Sequence, residues 1–375
     1  MSDSRDLRLY LRVLCVVGVI CARFDEEECL LQATPGSEQY ALFYNLAIIA
    51  TTFSCFSYAY LNPRDFYSGV YNQTGNFYET INLRLCCVVI CLLHICFYIR
   101  RCRHLELVQK MLQLNRASSS SDLARQILRN FIIYKVLLLL CLSNYMLGYL
   151  QSYSMSIALV IFVFVYAYGF LVTALLLVFF VCLQLIVAER LAHCNTQLAE
   201  TKSMSKCRRL IFERYQLLGI TTVELNICFG LLMLPIVPLV IYMAPAGPLF
   251  LISTVMEGKF LNLAQVAMMW ITCIIWNIPW VFMMALMLRS NVISVEANKT
   301  AKILAKIPRT GSGLDRMVEK FLLKNLRQQP ILTAYGFFAL DKSTLFKLFT
   351  AIFTYMVILV QFKEMENSTK SLQKA

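Results

Sequence analysis

The hydrophobic pattern of the chain consists of long apolar runs that alternate with short polar and basic segments. At 1.5 Å per residue, an apolar helix of about 20 residues crosses a bilayer core of about 30 Å. Seven runs are long enough and predict seven transmembrane helices, at residues 40–61, 83–101, 131–153, 157–187, 221–243, 261–288 and 344–362. The predicted fold class is therefore all-α, a polytopic membrane protein.

The segments outside these runs are more polar and complete the predicted organisation. Residues 1–39 contain an apolar stretch, Leu7 to Phe24, that charges interrupt. This stretch predicts an interfacial helix in a cytoplasmic amino-terminal segment, with a short first span as the alternative. Residues 289–343 are cationic and periodic and predict cytoplasmic anchor helices, and residues 363–375 form a tail.

Composition and charge set the environment and the orientation. Apolar residues make up 59% of the 375 residues and charged residues 15%, so lipid is the solvent for much of the chain. The net charge of +13 does not indicate a nucleic-acid partner, because the basic residues lie between the apolar runs. With the amino terminus in the cytoplasm, 29 of the 35 Lys and Arg residues lie on the cytoplasmic side, which predicts an extracellular carboxyl terminus. The glycosylation triplets at Asn72 and Asn367 then both fall outside.

The sequence contains no pattern typical of an enzyme. The three histidines are scattered, and no phosphate-binding loop or nucleophile elbow is present, so we expect no enzymatic activity, no cofactor and no metal site. Secondary transport is an alternative, because Pro235 and Pro238 predict a break in the fifth span and Pro279 interrupts the sixth. Ion coupling usually requires acids and bases inside the membrane, however, and the runs have almost none.

The last run carries a narrow polar line on an otherwise apolar helix. Ser343, Thr350, Thr354 and Gln361 lie within roughly 40° of one line along the helix, and we call these four residues the polar seam. One interpretation is structural, with threonine hydroxyls bonded to their own backbone or to a neighbouring helix. The other is a water-lined pore, which requires several subunits around a symmetry axis.

The pore interpretation assigns a role to each position along this helix. Thr350, Thr354 and Ile358 would line the pore, and apolar rings would close it by excluding water. Gln361 and Phe362, at the outer end, are the predicted gate. Beyond them, Glu364 and Glu366 would form an acidic outer mouth that favours cations.

The same stretch carries a family resemblance. It contains Thr354-Tyr355, five apolar residues and Gln361-Phe362, preceded by the run from Thr333 to Phe338 and by Asp341. This spelling resembles the signature of insect gustatory receptors. The resemblance implies signature positions at Thr354, Tyr355, Gln361 and Phe362, and an anchor approach at Gly336, Asp341 and Lys347.

What the resemblance implies about function is specific. We expect a seven-helix subunit of a homo- or heterotetrameric, ligand-gated, non-selective cation channel that a small organic tastant opens. It would lie in the plasma membrane of chemosensory neurons. The alternative within receptors is a metabotropic seven-helix receptor.

Aromatic residues cluster toward the outer halves of several spans and predict a ligand pocket. Interfacial belts or ordinary packing explain any single one of them, but together they suit an apolar ligand in a sensing domain at residues 40–288. The pattern favours a bitter or hydrophobic ligand over a sugar. The candidate residues are Tyr145, Tyr149, Tyr153, Phe162, Tyr166, Tyr242 and Trp270.

Overall fold

The structure is a computed structural model and is almost entirely helical. It describes residues 11–25, 30–67, 73–116, 156–200, 204–246, 295–305 and 332–374, together with scattered positions at 129–136, 248–293 and 315–323. Five helices in these residues are long and apolar enough to cross a membrane. The predicted spans at 131–153 and 261–288 lie almost wholly outside the described residues.

The amino-terminal segment differs from the predicted interfacial helix. Residues 11–16 are helical, and a turn at Gly18 then leads into a small antiparallel hairpin of strands β1 (Arg23–Asp25) and β2 (Leu30–Gln32). Leu14 and Ile20 are fully buried in the main apolar cluster, so this segment packs on the protein instead of extending as one helix along the bilayer surface. The prediction of a helix through Phe24 was wrong.

Helix α1 (Pro35–Leu61) begins earlier than the predicted span because its first turn is capped. The side chains of Thr34 and Ser37 each accept from the other's backbone N–H group, and Pro35 occupies the first turn, where its missing N–H is not needed. The helix ends before Asn62, and a short 3₁₀ helix (Pro63–Phe66) follows.

Helices α2 (Gln73–Arg116) and α3 (Ile157–Glu200) have 44 residues each, or about 66 Å of helix. Both therefore extend well beyond a bilayer core. Helix α3 is central, since 89% of its most apolar window is buried. Helix α2 packs against both α1 and α3.

A hydrogen-bonded chain of polar side chains joins these three helices inside the apolar cluster. Asn45 on α1 bonds to His94 Nδ1 on α2 at 2.7 Å, and His94 Nε2 bonds to the Tyr168 hydroxyl on α3 at 2.7 Å. The Tyr168 hydroxyl also lies 3.2 Å from that of Tyr44. Polar contacts of this kind hold helices together where no water competes for them.

The next helical segment is continuous but changes its winding. Helix α4 (Met204–Gly219) passes into a π-helical turn (Ile220–Leu225) and then into α5 (Asn226–Met243). Pro235 and Pro238 lie inside α5, which stays helical through both of them, so the predicted break there was wrong. Prolines are tolerated in membrane helices when neighbouring groups satisfy the freed backbone, and the irregular turn lies instead at the other end of α5.

In the carboxyl-terminal third, the structure describes two continuous helical segments. Residues 295–305 are helical and pack on α3 and α4, where the Asn195 amide donates to the Glu296 carbonyl at 2.9 Å and Leu304 is buried with Leu210. The last helix, α6 (Lys342–Lys374), packs against α2 and α5. It continues for twelve residues beyond the predicted pore helix, through almost all of the predicted tail.

Candidate functional site

A tight loop at residues 332–341 leads into α6 and sets its direction. Thr333 and Ala339 form an antiparallel bridge, and the chain turns at Tyr335 and Gly336, whose φ angles are 52° and 84°. Glycine enters this left-handed region without strain, which explains Gly336 in the predicted anchor approach. Asp341 then accepts the Thr344 N–H at 2.8 Å and caps the first turn of α6.

The loop is docked on α5 immediately after the π-helical turn. The Thr333 N–H donates to Asn226 Oδ1 at 2.9 Å. One turn further along α5, a Cβ atom at Gly230 would lie 2.7 Å from the Tyr335 nitrogen, so only glycine permits this close approach. Neither Asn226 nor Gly230 was predicted from the sequence.

Helix α6 itself is largely uncovered by the rest of the chain. Only 6% of its most apolar window is buried, although the helix is long and apolar enough to span a membrane. The predicted pore residues Thr350, Thr354 and Gln361 are exposed, and Ile358 and Phe362 are 41% and 51% exposed. The Lys347 side chain is also exposed, near the start of the helix.

The threonines of the polar seam bond to their own helix. The Thr350 hydroxyl donates to the Phe346 carbonyl at 3.1 Å, and the Thr354 hydroxyl donates to the Thr350 carbonyl at 2.9 Å. These are the backbone bonds that the structural interpretation predicts. Each hydroxyl oxygen still has lone pairs that can accept from water, so the bonds are compatible with a wetted surface as well.

Near the middle of α6, three tyrosine rings from three helices meet. Tyr78 on α2, Tyr242 on α5 and Tyr355 on α6 have ring centroids 5.1 Å to 6.3 Å apart. The Tyr78 hydroxyl donates to the Tyr242 carbonyl at 2.5 Å. We call these three residues the tyrosine cluster. Tyr242 is one of the predicted ligand residues, and Tyr355 is one of the signature positions that the family resemblance implies.

A cavity of about 540 Å³ adjoins the tyrosine cluster. Helix α6 contributes Ile358, Leu359, Phe362 and Glu366 to its wall, so two of the predicted pore and gate positions face it. Helix α2 contributes Thr74, Phe77, Tyr78 and Ile81. These four α2 residues precede the predicted span at 83–101. They recur at helical spacing, which is the sequence signal that indicates a helical face there.

The two acids of the predicted outer mouth have different surroundings. Glu364 is exposed. Glu366 Oε2 accepts the Thr74 backbone N–H at 3.2 Å and the Thr74 hydroxyl at 3.0 Å. Because Thr74 lies in the first turn of α2, this carboxylate also meets the positive end of that helix. Glu366 therefore connects the carboxyl-terminal part of α6 to the first turn of α2 through hydrogen bonds.

Of the remaining predicted ligand residues, those that the structure describes do not line this cavity. Tyr166 is fully buried on α3, stacks edge-on with Phe162 at 4.5 Å and donates its hydroxyl to Glu79 at 2.8 Å. Trp270 is 56% exposed. The set Tyr145, Tyr149 and Tyr153 lies outside the described residues.

One of the two glycosylation candidates lies within a described helix. Asn72 lies outside the described residues, directly before the first residue of α2. Asn367 lies within α6, and the hydroxyl of Thr369, the third residue of its triplet, donates to the Met365 carbonyl at 2.9 Å. Acceptor sites of this kind usually occur in surface loops, and glycosylation at both positions remains a prediction.

The fold defines the class of multi-pass helical membrane proteins. A loop packed on α5 leads into the last described helix, which is largely exposed. A family model described as 7tm chemosensory receptor matches residues 7–366. The chain is 55% identical to gustatory and pheromone receptor 39a, isoform A, of Drosophila melanogaster, over 99% of this chain and 98% of that one. It is 43% identical to isoform D of the same receptor, over 98% of each chain.

The chain belongs to the 7tm chemosensory receptor family, as an insect gustatory receptor. The family prediction and the prediction of a non-enzyme are thereby confirmed, because this is a family of receptors. The structure is also similar to that of the olfactory receptor OR5 from Machilis hrabei in complex with eugenol. The TM-score is 0.70 at 12% identity, over 96% of this chain and 100% of that chain, which confirms the predicted helical membrane fold.

Proposed function

We propose that this chain is a subunit of a ligand-gated, non-selective cation channel in the plasma membrane of chemosensory neurons, opened by a small organic ligand. The proposal rests on the composition and the exposure of helix α6. It is long and apolar enough to span a membrane, it bears a polar seam, and only 6% of its apolar window is covered by its own chain. Copies of α6 from four subunits of the same or related receptors would supply that cover and enclose a pore.

The contacts of α6 support a mechanism for gating. Helix α5 contacts the last part of the chain at two places, through Asn226 and Gly230 at the loop before α6 and through Tyr242 at Tyr355 within α6. Asn226 and Tyr242 are about 24 Å apart along α5. A ligand that displaces α5 would therefore move α6 as well. The π-helical turn before Asn226 is a natural point for such a displacement.

The ion path follows from the orientation that the charge distribution predicts. With the amino terminus inside and the carboxyl terminus outside, Ile358 and Phe362 would form apolar rings near the outer end of the pore. Such rings exclude water when the helices are close and become wetted when the helices separate modestly. Exposed Glu364, just beyond the rings, would concentrate cations at the mouth.

The ligand class follows from the relatives and from the lining of the spans. Relatives named as gustatory and pheromone receptors support a small organic molecule as the ligand. The aromatic and aliphatic character of the outer halves favours a bitter or otherwise hydrophobic one. The sensing site would lie among the six spans before α6, in the domain of residues 40–288.

We test the gate with Phe362→Ala. Phe362 is half-exposed, so its remaining contacts contribute about 1 kcal/mol to the closed state. Losing them should raise the basal current by about fivefold at normal surface expression. The measurement is voltage clamp of cells that express the chain, alone and with related receptor subunits.

The matched control for this test is Leu372→Ala, which removes an apolar side chain that is 78% exposed from the same helix ten residues further on. It should leave the basal current unchanged. Equal currents from the wild type and Phe362→Ala, at equal surface expression, would contradict the gate assignment. Ligand responses that persist without any current of the receptor's own would instead indicate a metabotropic receptor.

A further inference from the structure

The cavity beside α6 is separate from the aromatic positions that the sequence offered as a ligand pocket, apart from Tyr242. Its volume of about 540 Å³ lies within the range of small-molecule sites. It lies between the first turns of α2, the last turn of α5 and the outer end of α6. An occupant would therefore contact three helices at once.

The wall of this cavity combines aromatic faces with one acid. The rings of Tyr78, Tyr242 and Tyr355 lie within 6.3 Å of one another, and aromatic faces attract organic cations. Among the described residues of the wall, Glu366 is the only acidic one and none is basic. The remaining wall is largely apolar, from Phe77, Ile81, Ile358 and Phe362.

The carboxylate of Glu366 is held in place rather than free to turn away. The backbone N–H and the hydroxyl of Thr74 both donate to its Oε2 atom and fix its position. Lys363, one turn earlier on α6, is buried and is not part of the cavity wall. The negative charge is therefore positioned at one end of an aromatic and aliphatic space.

We propose that this cavity binds small organic cations, molecules that carry an ammonium group on an apolar body of one ring or a short chain. The ammonium group would lie against Glu366, at one end of the cavity, and the apolar body against the tyrosine cluster and against Phe77, Ile81 and Phe362. Because Ile358 and Phe362 belong to the proposed gate, an occupant would also shift gating. That consequence rests on the proposed channel function, whereas the binding itself does not.

The binding test uses two probes that differ in one group. Purified full-length protein in detergent is equilibrated with phenylbutylamine, which is cationic at neutral pH, or with phenylbutanol, which has the same carbon skeleton and no charge. Equilibrium dialysis measures the binding of each. We expect saturable binding of the amine at least about tenfold tighter than that of the alcohol, as for a hydrogen bond to a charged group.

Variants assign the binding to this cavity. Glu366→Gln keeps an oxygen that can accept from Thr74 but removes the charge, and it should weaken amine binding at least about tenfold. Asp65→Asn neutralises an acid outside the cavity, which accepts from Tyr58, and should leave amine binding unchanged. Phe77→Lys places a competing cation at a wall position that is 65% exposed, and should also abolish amine binding.

The outcomes separate this inference from the proposed function. Equal binding of the two probes would overturn the cation site, and so would unchanged amine binding in a folded Glu366→Gln or Phe77→Lys variant. Charge-selective binding that Glu366→Gln removes would support the site even if no variant conducts current. Ligand-evoked currents in a protein that does not bind the amine would support the channel and overturn the cation site.

Discussion

At the scale of single residues, the contact between Gly230 and the loop before α6 is the tightest constraint on the proposed pore helix. A methyl group at position 230 would lie 2.7 Å from the Tyr335 nitrogen and 3.1 Å from the Thr333 oxygen, and both are backbone atoms. A backbone cannot move aside as the end of a flexible side chain can. The loop would have to lift from α5 to make room.

Gly230→Ala should therefore weaken the docking of the loop. We expect a loss of about 1 to 3 kcal/mol, the usual cost of overpacking, visible as a lower temperature of thermal unfolding in the purified protein. Because the loop sets the position of α6, the ligand concentration for half-maximal current should change as well.

The control for this change is Gly36→Ala, in the first turn of α1. Nothing lies within 4 Å of a Cβ atom there, so the same methyl group should leave unfolding and gating nearly unchanged. If the two variants unfold at the same temperature and gate alike, the close approach of loop and helix is not a constraint on the protein.

Residues were predictable from the sequence where their role is local, and not where it depends on a distant partner. Asp341 precedes an apolar run and caps it, and Gly336 supplies a left-handed turn; both were assigned to the approach to α6. Tyr78 and Asn226 act through residues more than 100 positions away, and nothing next to them in sequence marks that role.

At the scale of elements, the apolar runs predicted five long helices that the structure describes but not where these helices end. Helix α2 begins ten residues before its predicted span and continues fifteen residues beyond it, because a helix does not stop at the edge of the lipid. Hydropathy records the solvent, whereas helix ends depend on caps and breakers. The hairpin of β1 and β2 was missed for a related reason, since two three-residue strands have no detectable period.

The two predicted mouth acids on α6 differ in their contacts, since Glu364 is exposed and Glu366 is bonded to Thr74. Glu364→Gln should lower the single-channel cation conductance, on the order of twofold at low ionic strength and less at high salt, because mobile ions screen an exposed charge. Glu366→Gln should leave the conductance nearly unchanged, since that carboxylate is bonded to Thr74. Single-channel recording at two salt concentrations measures both effects.

A conductance that falls equally in both variants would contradict this division of roles. The control is Asp65→Asn, which removes one negative charge just after α1. It should not alter the conductance at either salt concentration.

At the scale of the whole molecule, α3 and α6 contrast in how much of each helix is buried. Helix α3 is apolar on all sides and 89% of its window is buried, as expected for the centre of a helix bundle. Helix α6 is less apolar than α3, although apolar enough to span a membrane, and only 6% of its window is buried. The sequence of one subunit cannot distinguish a helix that faces lipid from one that faces its own copies, because both environments select apolar residues.

The central claim, that α6 lines a water-filled pore, is tested most directly by the access of a charged thiol reagent to single cysteines during current recording. Thr354→Cys lies on the polar seam, and Phe353→Cys lies about 100° away on the same exposed helix. We expect the reagent, applied while the ligand is present, to block most of the current in Thr354→Cys and to leave Phe353→Cys and the wild type unaffected. Equal block, or no block, of the two variants would contradict a pore along the polar seam.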